Sequence, residues 1–258
     1  MGRDYTHDSR EGKSVFDCFC SGSLNGRVLV GENWTVGKER LVLAHETKPD
    51  HWRLRRHRPR VLRRRGRRGH GLSRRDNGLD VTDPASVDRV FGAIEGPFDR
   101  VIIAVGILAP DGAAPEKSLS AIDAQTMAQV FAVNTIGVAL ILQQMPRLLA
   151  PSGRVGVLSA RVGSIGDNGL GGWHSYRASK AAVNQIIRGT ALELKRTHKG
   201  SVVLALHPGT VDTPFTAGYA AKKLTPTDSA TALLSVLDGA GADQSGSFYD
   251  FNGATVPW

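Results

Sequence analysis

The alternation of short apolar runs with longer helix-forming segments, from residue 81 to the C-terminus, restricts the fold more than any other feature. The helix-forming segments include residues 83–94, where Asp83 and Pro84 form a typical helix start. Regular alternation with short links predicts an α/β fold, a doubly wound parallel sheet in a single domain. The strands are predicted at 100–105, 155–159, 202–206 and 248–251, and the other helices at 124–149, 175–197 and 227–238.

A Tyr-x-x-x-Lys pair lies near the start of the helix predicted at residues 175–197. Tyr176 and Lys180 are one helical turn apart, so their side chains share a face. A cation beside a phenol lowers the pKa of the phenol. The Tyr176 phenol can therefore donate or accept a proton near neutral pH. The Tyr-x-x-x-Lys spacing alone is common in proteins.

Other polar residues and turns follow the predicted strands or interrupt the apolar helices. Ser159 ends the strand at 155–159, Asn134 lies inside the long helix, and Pro208 and Gly209 follow the strand at 202–206. Ligands of open α/β sheets bind at the carboxyl ends of the strands. The serine and the Pro-Gly turn are therefore expected at one edge of the sheet.

Together, Asn134, Tyr176 and Lys180, in this order and spacing, resemble the short-chain dehydrogenase/reductase family over residues 72–258. The closing segment, residues 247–258, looks like the last strand of its C-factor-like branch. The resemblance implies a Rossmann-like fold and hydride transfer between a nicotinamide cofactor and a carbonyl or alcohol.

The resemblance also implies a role for each member of the family's catalytic tetrad. Tyr176 would be the general acid in reduction, and Lys180 would lower the pKa of Tyr176 and hold the nicotinamide ribose. Ser159 would bind the substrate carbonyl oxygen, and Asn134 would hold a water that links Lys180 to a proton relay.

The serine departs from the family pattern, in which the second residue of Ser-Ser-x-x-Gly is catalytic. Ala160 occupies that position here. Three alternatives follow: Ser159 serves, Ser164 reaches the site, or the contact with the substrate oxygen is weakened. Ser159 is favoured.

The cofactor expected from the resemblance is NADP, with NAD as an alternative. Ser73 and Arg74 would follow the second strand, where a hydroxyl and a guanidinium suit a 2′-phosphate. A solvated basic loop is the competing interpretation. Gly106 falls where the family has Asn-Asn-Ala-Gly, without the asparagines. The cofactor-binding residues implied are Ser73, Arg74, Asp80, Val81, Gly106, Tyr176, Lys180, Pro208, Gly209, Val211 and Thr213.

The chain before residue 71 lacks this order. The Thr-Gly-x-x-x-Gly-x-Gly loop, on which the family binds the pyrophosphate, is absent from the sequence. Residues 51–75 hold twelve Arg and no acidic residue, and they account for the net charge of +9. Residues 1–70 are thus predicted to be an aberrant or disordered region, and residues 71–258 the Rossmann-like domain.

A shifted reading frame would explain the missing loop. Reading the codons of residues 49–61 one base later can give Leu-Ile-Thr-Gly-Gly-Ser-Gly-Gly-Ile-Gly, and the single codon of Trp52 must then become Gly. The alternative is a genuine Arg-rich arm that binds nucleic acid. A third hypothesis is a non-catalytic chain that has lost the phosphate loop.

Composition sets the remaining expectations. There is no apolar run of about 18 residues and no secretory signal, which favours a cytoplasmic protein without a membrane partner. Cys18 and Cys20 are the only cysteines and no metal site is expected. Small carbonyl or alcohol substrates are expected. Helices 124–149 and 175–197 resemble the family's dimer-forming pair, which leaves a homo-oligomer open.

Overall fold

The strands form one mixed sheet at the centre of the molecule. The computed structural model describes residues 71–213, 216, 220 and 222–258, and the backbone of four strands that begin before residue 71. The strands of the sheet within this part are β1 (Arg40–Ala44), β2 (Trp52–Arg53), β3 (Val61–Arg64), β4 (Arg67–Ser73), β5 (Phe98–Ala104), β6 (Leu149–Leu158), β7 (Val202–His207) and β8 (Phe248–Asp250). Their order in the sheet is β2-β3-β4-β1-β5-β6-β7-β8, and β5 to β8 are parallel.

Two helices start where a polar cap and a proline predict. Asp83 caps the helix Pro84–Gly92 (α2) by accepting a hydrogen bond from the Ala85 N–H at 3.0 Å, and Pro84 is its first residue. Thr225 caps the helix Pro226–Gly239 (α7) in the same way through the Asp228 N–H at 3.1 Å. The helices are α1 (Arg74–Asn77), α2 (Pro84–Gly92), α3 (Ala124–Phe131), α4 (Val138–Leu142), α5 (Met145–Leu148), α6 (His174–Thr197) and α7 (Pro226–Gly239).

Two hydrophobic cores lie on the two faces of the sheet. Alternate residues of β5 and β7 point to opposite cores: Ile103 belongs to the core under α2, α4 and α6, and Ile102 to the core under α7. Because both faces are covered, the run Val202–Leu206 of β7 is apolar at every position. The predicted α/β fold with a doubly wound parallel sheet is confirmed.

The helix predicted at residues 124–149 is divided. A π-helical turn, Ala132–Gly137, separates α3 from α4, and α4 ends at Leu142. Pro146 explains the second break, because its ring has no N–H and would collide with the carbonyl of residue 142 in a continuous helix. The strand that follows also begins earlier than predicted, at Leu149.

By length and apolar composition alone, residues Ala124–Leu142 could cross a membrane. Such a segment also forms core helices of α/β domains. Here Val138, Ile141 and Leu142 are buried in the core that α6 shares. We therefore interpret this segment as a core helix.

The four N-terminal strands differ from the expected doubly wound order. In that order the strand beside β5 is parallel to it, but β1 is antiparallel to both neighbours, with Arg40 opposite Ala104 and Ser73. The strands β2 and β3 form in a tract without strand periodicity, since ladder hydrogen bonds use the backbone alone. Most of residues 1–70 lie outside the described residues, so the frame-shift interpretation stays a prediction.

Candidate active site

The carboxyl ends of the parallel strands meet at one edge of the sheet. The register places Ile103 beside Val157, Leu158 beside Leu206, and His207 beside Asp250. The residues that follow these strands, Gly106, Ser159 and Pro208, therefore share this edge. The helix α6 brings Tyr176 and Lys180 to the same edge, because Lys180 hydrogen-bonds the last residue of β6.

Tyr176 and Lys180 are both buried on one face of α6. Lys180 Nζ lies 5.9 Å from the centre of the Tyr176 ring and donates to the Leu158 carbonyl at 3.0 Å. Burial lowers the pKa of Lys180 to about 8, since a charged ammonium is poorly solvated there. The lysine is therefore still mostly a cation at neutral pH, next to the phenol it can influence.

Asn134 lies in the π-helical turn and is fully buried. Its Oδ1 accepts from the Ile107 N–H at 2.7 Å, and its Nδ2 donates to the Ile107 carbonyl at 2.9 Å and to Ser179 Oγ at 3.0 Å. Ser179 Oγ in turn donates to the Tyr176 carbonyl at 2.8 Å. Asn134 thus joins the loop after β5 to the part of α6 that carries Tyr176 and Lys180. Single-turn π segments occur frequently at functional sites.

Gly106 is the point on which Lys180 and Asn134 converge. A Cβ at this position would lie 3.1 Å from Lys180 Nζ and 3.3 Å from Asn134 Oδ1. Such contacts are tighter than most side chains tolerate. The absence of a side chain at Gly106 therefore lets the Lys180 ammonium and the Asn134 amide approach the backbone of this loop closely.

The two candidate serines make different contacts. Ser159 Oγ donates to Asn184 Oδ1 at 2.6 Å, and Asn184 is one turn beyond Lys180 on the same face of α6. The Nδ2 of Asn184 is buried and has no hydrogen-bond partner among the described residues. Ser164 Oγ instead accepts from the Asp167 N–H at 3.0 Å, within its own loop. Both hydroxyls are therefore engaged with the protein.

Ser73 and Arg74, at the end of β4, contact residues that follow them closely in the chain. Ser73 caps α1, its Oγ accepting from the Asp76 N–H at 3.0 Å. Arg74 Nη2 pairs with Asp80 Oδ1 at 2.9 Å, and both side chains are largely exposed. Burial raises the pKa of Asp80, but hydrogen bonds from Thr82 and the Arg74 charge outweigh this and lower it.

The residue after Asp80 is a core residue. The Val81 side chain is fully buried, and it would collide with a Cβ on Gly137 in the helical segment above it. Only the backbone of Val81 can therefore face a ligand.

The turn after β7 is held by backbone contacts. Gly209 has a φ of +76°, a conformation that other residues rarely adopt. Ser229 Oγ donates to the Pro208 carbonyl at 2.7 Å, and Val211 pairs with Leu224. Thr213 Oγ1 donates to the Val211 carbonyl at 3.4 Å. These contacts fix the backbone that was predicted to approach a ligand.

His207, at the end of β7, was not singled out from the sequence. Its Nδ1 is buried and has no hydrogen-bond partner within the described part of the chain. Burial lowers the pKa of His207 to about 4, so the ring is neutral at physiological pH. The sequence feature that could have identified His207 is its position immediately before Pro208.

Sequence reasoning also missed Asn184 and Glu116. Asn184 follows Lys180 at the spacing that links Tyr176 to Lys180, so helical periodicity could have identified it. Glu116 contacts Ser175, 59 residues away, and no local pattern indicates that contact.

Comparisons with known proteins show which protein family this chain is similar to. A family model described as enoyl-(acyl carrier protein) reductase matches residues 71–237. A 1-hydroxy-2-glutathionyl-2-methyl-3-butene dehydrogenase of Rhodococcus sp. (strain AD45) is 30% identical over 186 residues, covering 70% of this chain and 79% of that protein. The C-signal protein of Myxococcus xanthus is 35% identical over 143 residues, covering 55% of this chain and 84% of that protein.

Two solved structures with a similar fold contain bound NADP or NADPH. A short-chain dehydrogenase/reductase from Burkholderia multivorans with bound NADP is 26% identical, with a TM-score of 0.61 and coverage of 70% of this chain and 75% of that one. A carbonyl reductase from chicken fatty liver with bound NADPH is 28% identical, with a TM-score of 0.59 and the same coverage.

Proposed function

Because the chain belongs to the short-chain dehydrogenase/reductase family, we propose that Tyr176 is its general acid in carbonyl reduction. The activity is hydride transfer between NADP(H) and a carbonyl or alcohol. The observation that supports the role of Tyr176 most strongly is the buried Lys180 ammonium, 5.9 Å from the phenol ring. NADP(H) supplies or accepts the hydride when bound.

Lys180 assists Tyr176 by its charge. When the Tyr176 phenol gives its proton to the carbonyl oxygen of a substrate, negative charge develops on the phenol oxygen. The ammonium stabilises that charge in a site with little water, where electrostatic interactions are strong. The same ammonium lies close to the backbone of Gly106 and would hold the ribose hydroxyls of the cofactor.

Ser159 would bind the substrate oxygen, and Asn184 decides whether it can. A serine hydroxyl has one proton, which Ser159 now gives to Asn184 Oδ1. If the Asn184 amide turns by about 180°, its Nδ2 donates to Ser159 Oγ and the hydroxyl proton becomes available to a substrate. This rotation of the amide also gives the buried Nδ2 a hydrogen-bond partner.

The role of Asn184 can be tested by Asn184→Asp, whose carboxylate can only accept a hydrogen bond from Ser159. This variant should lower turnover nearly as far as Ser159→Ala does, and unchanged turnover would contradict the role.

Asn134 is proposed as a link between the loop after β5 and α6. Three protein contacts occupy its amide, which leaves one acceptor position on Oδ1. That position can receive a water beside Lys180, as the proposed proton relay requires.

The residues present fit the two ends of NADP. At the nicotinamide end, Lys180 Nζ lies against the backbone of Gly106 and would hold the ribose. At the other end Arg74 keeps N–H donors beyond the one that Asp80 uses, and these can bind a 2′-phosphate. Ser73, Asp80 and the backbone of Val81 would line the adenosine, and Pro208, Gly209, Val211 and Thr213 the nicotinamide side.

We also propose a cytoplasmic homo-oligomer that acts on small carbonyl or alcohol substrates. Ile136 and Leu192, on the two helical segments that resemble the family's dimer-forming pair, are each more than half exposed. Burial of these two side chains between subunits would remove their apolar surface from water. Light scattering on Ile136→Glu and Leu192→Glu tests the assembly, and an unchanged mass for both would contradict it.

The role of Tyr176 is tested by Tyr176→Phe in the full chain, with NADPH and isatin, an aromatic dicarbonyl, as substrates. Turnover should fall by about a hundredfold or more, because general acid catalysis contributes roughly 10²–10⁴. Tyr249→Phe is the matched control, since that phenol lies at β8 and accepts from Gln244. Full activity of Tyr176→Phe would remove Tyr176 from the mechanism.

A further inference from the structure

The helix that carries Tyr176 has no local cap. Trp173 precedes it with a φ of 50°, and its side chain caps none of the first-turn N–H groups. Gly171 and Gly172 before it are also left-handed. The first N–H groups of a helix have no acceptor within the helix. Tyr176 belongs to this first turn, so its position depends on whatever else satisfies those groups.

Glu116 supplies the missing acceptors from the loop after β5. Its two carboxylate oxygens each accept from the Ser175 N–H at 3.3 Å, and Oε1 also accepts from the Ser175 hydroxyl. The backbone carbonyl of Glu116 accepts from the Trp173 N–H. The Glu116 side chain is buried, with only 5% of its surface exposed. One residue therefore satisfies three donors around the start of α6.

The charge of Glu116 suits this position. A carboxylate at a helix N-terminus interacts favourably with the helix dipole. Burial raises the pKa of Glu116, but the hydrogen bonds from Ser175 outweigh this and lower it below the ordinary value. Glu116 is thus a carboxylate throughout the neutral range.

Lys180 is held by separate contacts. Its Nζ donates to the Leu158 carbonyl at the end of β6. Ser179, beside it in α6, accepts from Asn134. The second turn of α6 is thus fixed to β6 and to the π-helical turn, whereas the first turn is fixed to Glu116.

We propose that Glu116 is a positioning residue for Tyr176, holding the first turn of α6 so that the phenol stays beside Lys180. The proposal rests on the role of Tyr176 given above. Loss of Glu116 should release the first turn and leave the second turn in place. Turnover should then fall while NADPH affinity, which depends on Lys180 and on the β4 side, changes little.

The test compares Glu116→Ala and Glu116→Gln in the full chain, with Glu193→Gln as the matched control, an exposed glutamate on α6. Hydrogen exchange followed by mass spectrometry should show faster exchange over residues 173–179 in Glu116→Ala, and no change over residues 183–194. Turnover of isatin should fall by about tenfold or more, since small misplacements of catalytic groups are costly. The dissociation constant of NADPH should change by less than about twofold.

Glu116→Gln keeps an acceptor for the Ser175 N–H and hydroxyl, so it should restore most of the lost turnover and protection. If Glu116→Ala fails to fold, Ser175→Ala removes one contact only and should show a smaller change in the same peptide. Unchanged exchange over residues 173–179, or an equal loss of NADPH affinity and turnover, would overturn the proposal. Full activity of Tyr176→Phe would instead refute the acid role, while the exchange data still decide whether Glu116 holds the turn.

Discussion

Single buried residues set the electrostatics of the candidate site. Lys180 is buried and His207 is half-buried near the carboxyl edge of the sheet, and burial lowers the pKa of each. The consequences differ, because the pKa of the lysine stays above neutral pH and that of the histidine falls well below it. The site therefore combines one retained cation with one neutral ring.

His207 should make the protein sensitive to acid. Its pKa falls from 6.5 to about 4 on folding, so between these values the unfolded chain binds a proton that the native state does not. The free energy of unfolding should therefore decrease as pH falls from 6.5 towards 4. Denaturant titrations over this range should show a shallower decrease for His207→Gln, with His198→Gln as control. Identical slopes for His207→Gln and the unmutated protein would contradict the assignment.

Arg74 should discriminate between the two nicotinamide cofactors. Replacing Arg74 by Ala removes one charge-assisted contact with the 2′-phosphate, about 1.5–3 kcal/mol, from NADP binding only. Stability should barely change, because the pair with Asp80 is largely exposed. Calorimetric titrations with NADPH and NADH measure the difference, and Arg75→Ala, also exposed, is the control. Equal losses for both cofactors would show that Arg74 does not bind the phosphate.

At the scale of the elements, close packing limits which residues fit at particular positions of the helices. Gly137 ends the π-helical turn where the chain passes over Val81, and a Cβ there would come within 3.0 Å of the Val81 side chain and carbonyl. Gly189, in the middle of α6, has no such neighbour within 4 Å. The close approach of Val81 therefore requires a glycine at position 137, whereas no neighbouring group requires one at position 189.

Alanine at these two positions should have opposite effects. Gly137→Ala should destabilise the protein by about 1–3 kcal/mol, since overpacking forces the neighbours to move. Gly189→Ala should be neutral or stabilising by up to about 1 kcal/mol, because alanine is the better helix former. Chemical denaturation measures both. Equal stability changes would mean that the approach to Val81 imposes no constraint.

The sequence predicted the elements that follow simple periodicity. The strands at β5 and β7 and the helix α6 were predicted within a few residues, because apolar runs and helical spacing are local properties. The π-helical turn around Asn134 was not, since it depends on contacts with Ile107 and Ser179 that are distant in the chain. The contact between Ser159 and Asn184 was hidden for the same reason.

At the scale of the whole molecule, two basic features could attract NADPH. One is the site at the carboxyl edge, where a few buried groups make directional contacts. The other is the tract at residues 51–75, with no acidic residue and twelve Arg, of which only Arg74 is assigned to the site. Salt distinguishes the two, because ionic strength screens attraction between charges beyond a Debye length of about 8 Å and affects short contacts at a buried site much less.

NADPH should stabilise the full chain even at high salt if the edge site holds it. At about 100 times its dissociation constant, a ligand that binds only the native state adds about 2.7 kcal/mol to the free energy of unfolding. Thermal unfolding with NADPH at low and high salt should therefore show a retained shift. Inorganic pyrophosphate is the control for attraction to the Arg tract. Loss of the NADPH shift with added salt would assign binding to the tract instead.

The contact between Glu116 and Ser175 also bears on any attempt to redesign substrate range. The loop after β5 is an obvious segment to exchange between related enzymes, because it lies beside the site and carries little of the core. In this protein the loop also holds the start of α6, 59 residues further along the chain. A grafted loop without a carboxylate at position 116 should therefore yield an enzyme that binds NADPH but turns over slowly, whatever substrate it was designed to accept. Restoring the glutamate within the graft should recover the rate, and a graft that is fast without it would show that the loop can be exchanged freely.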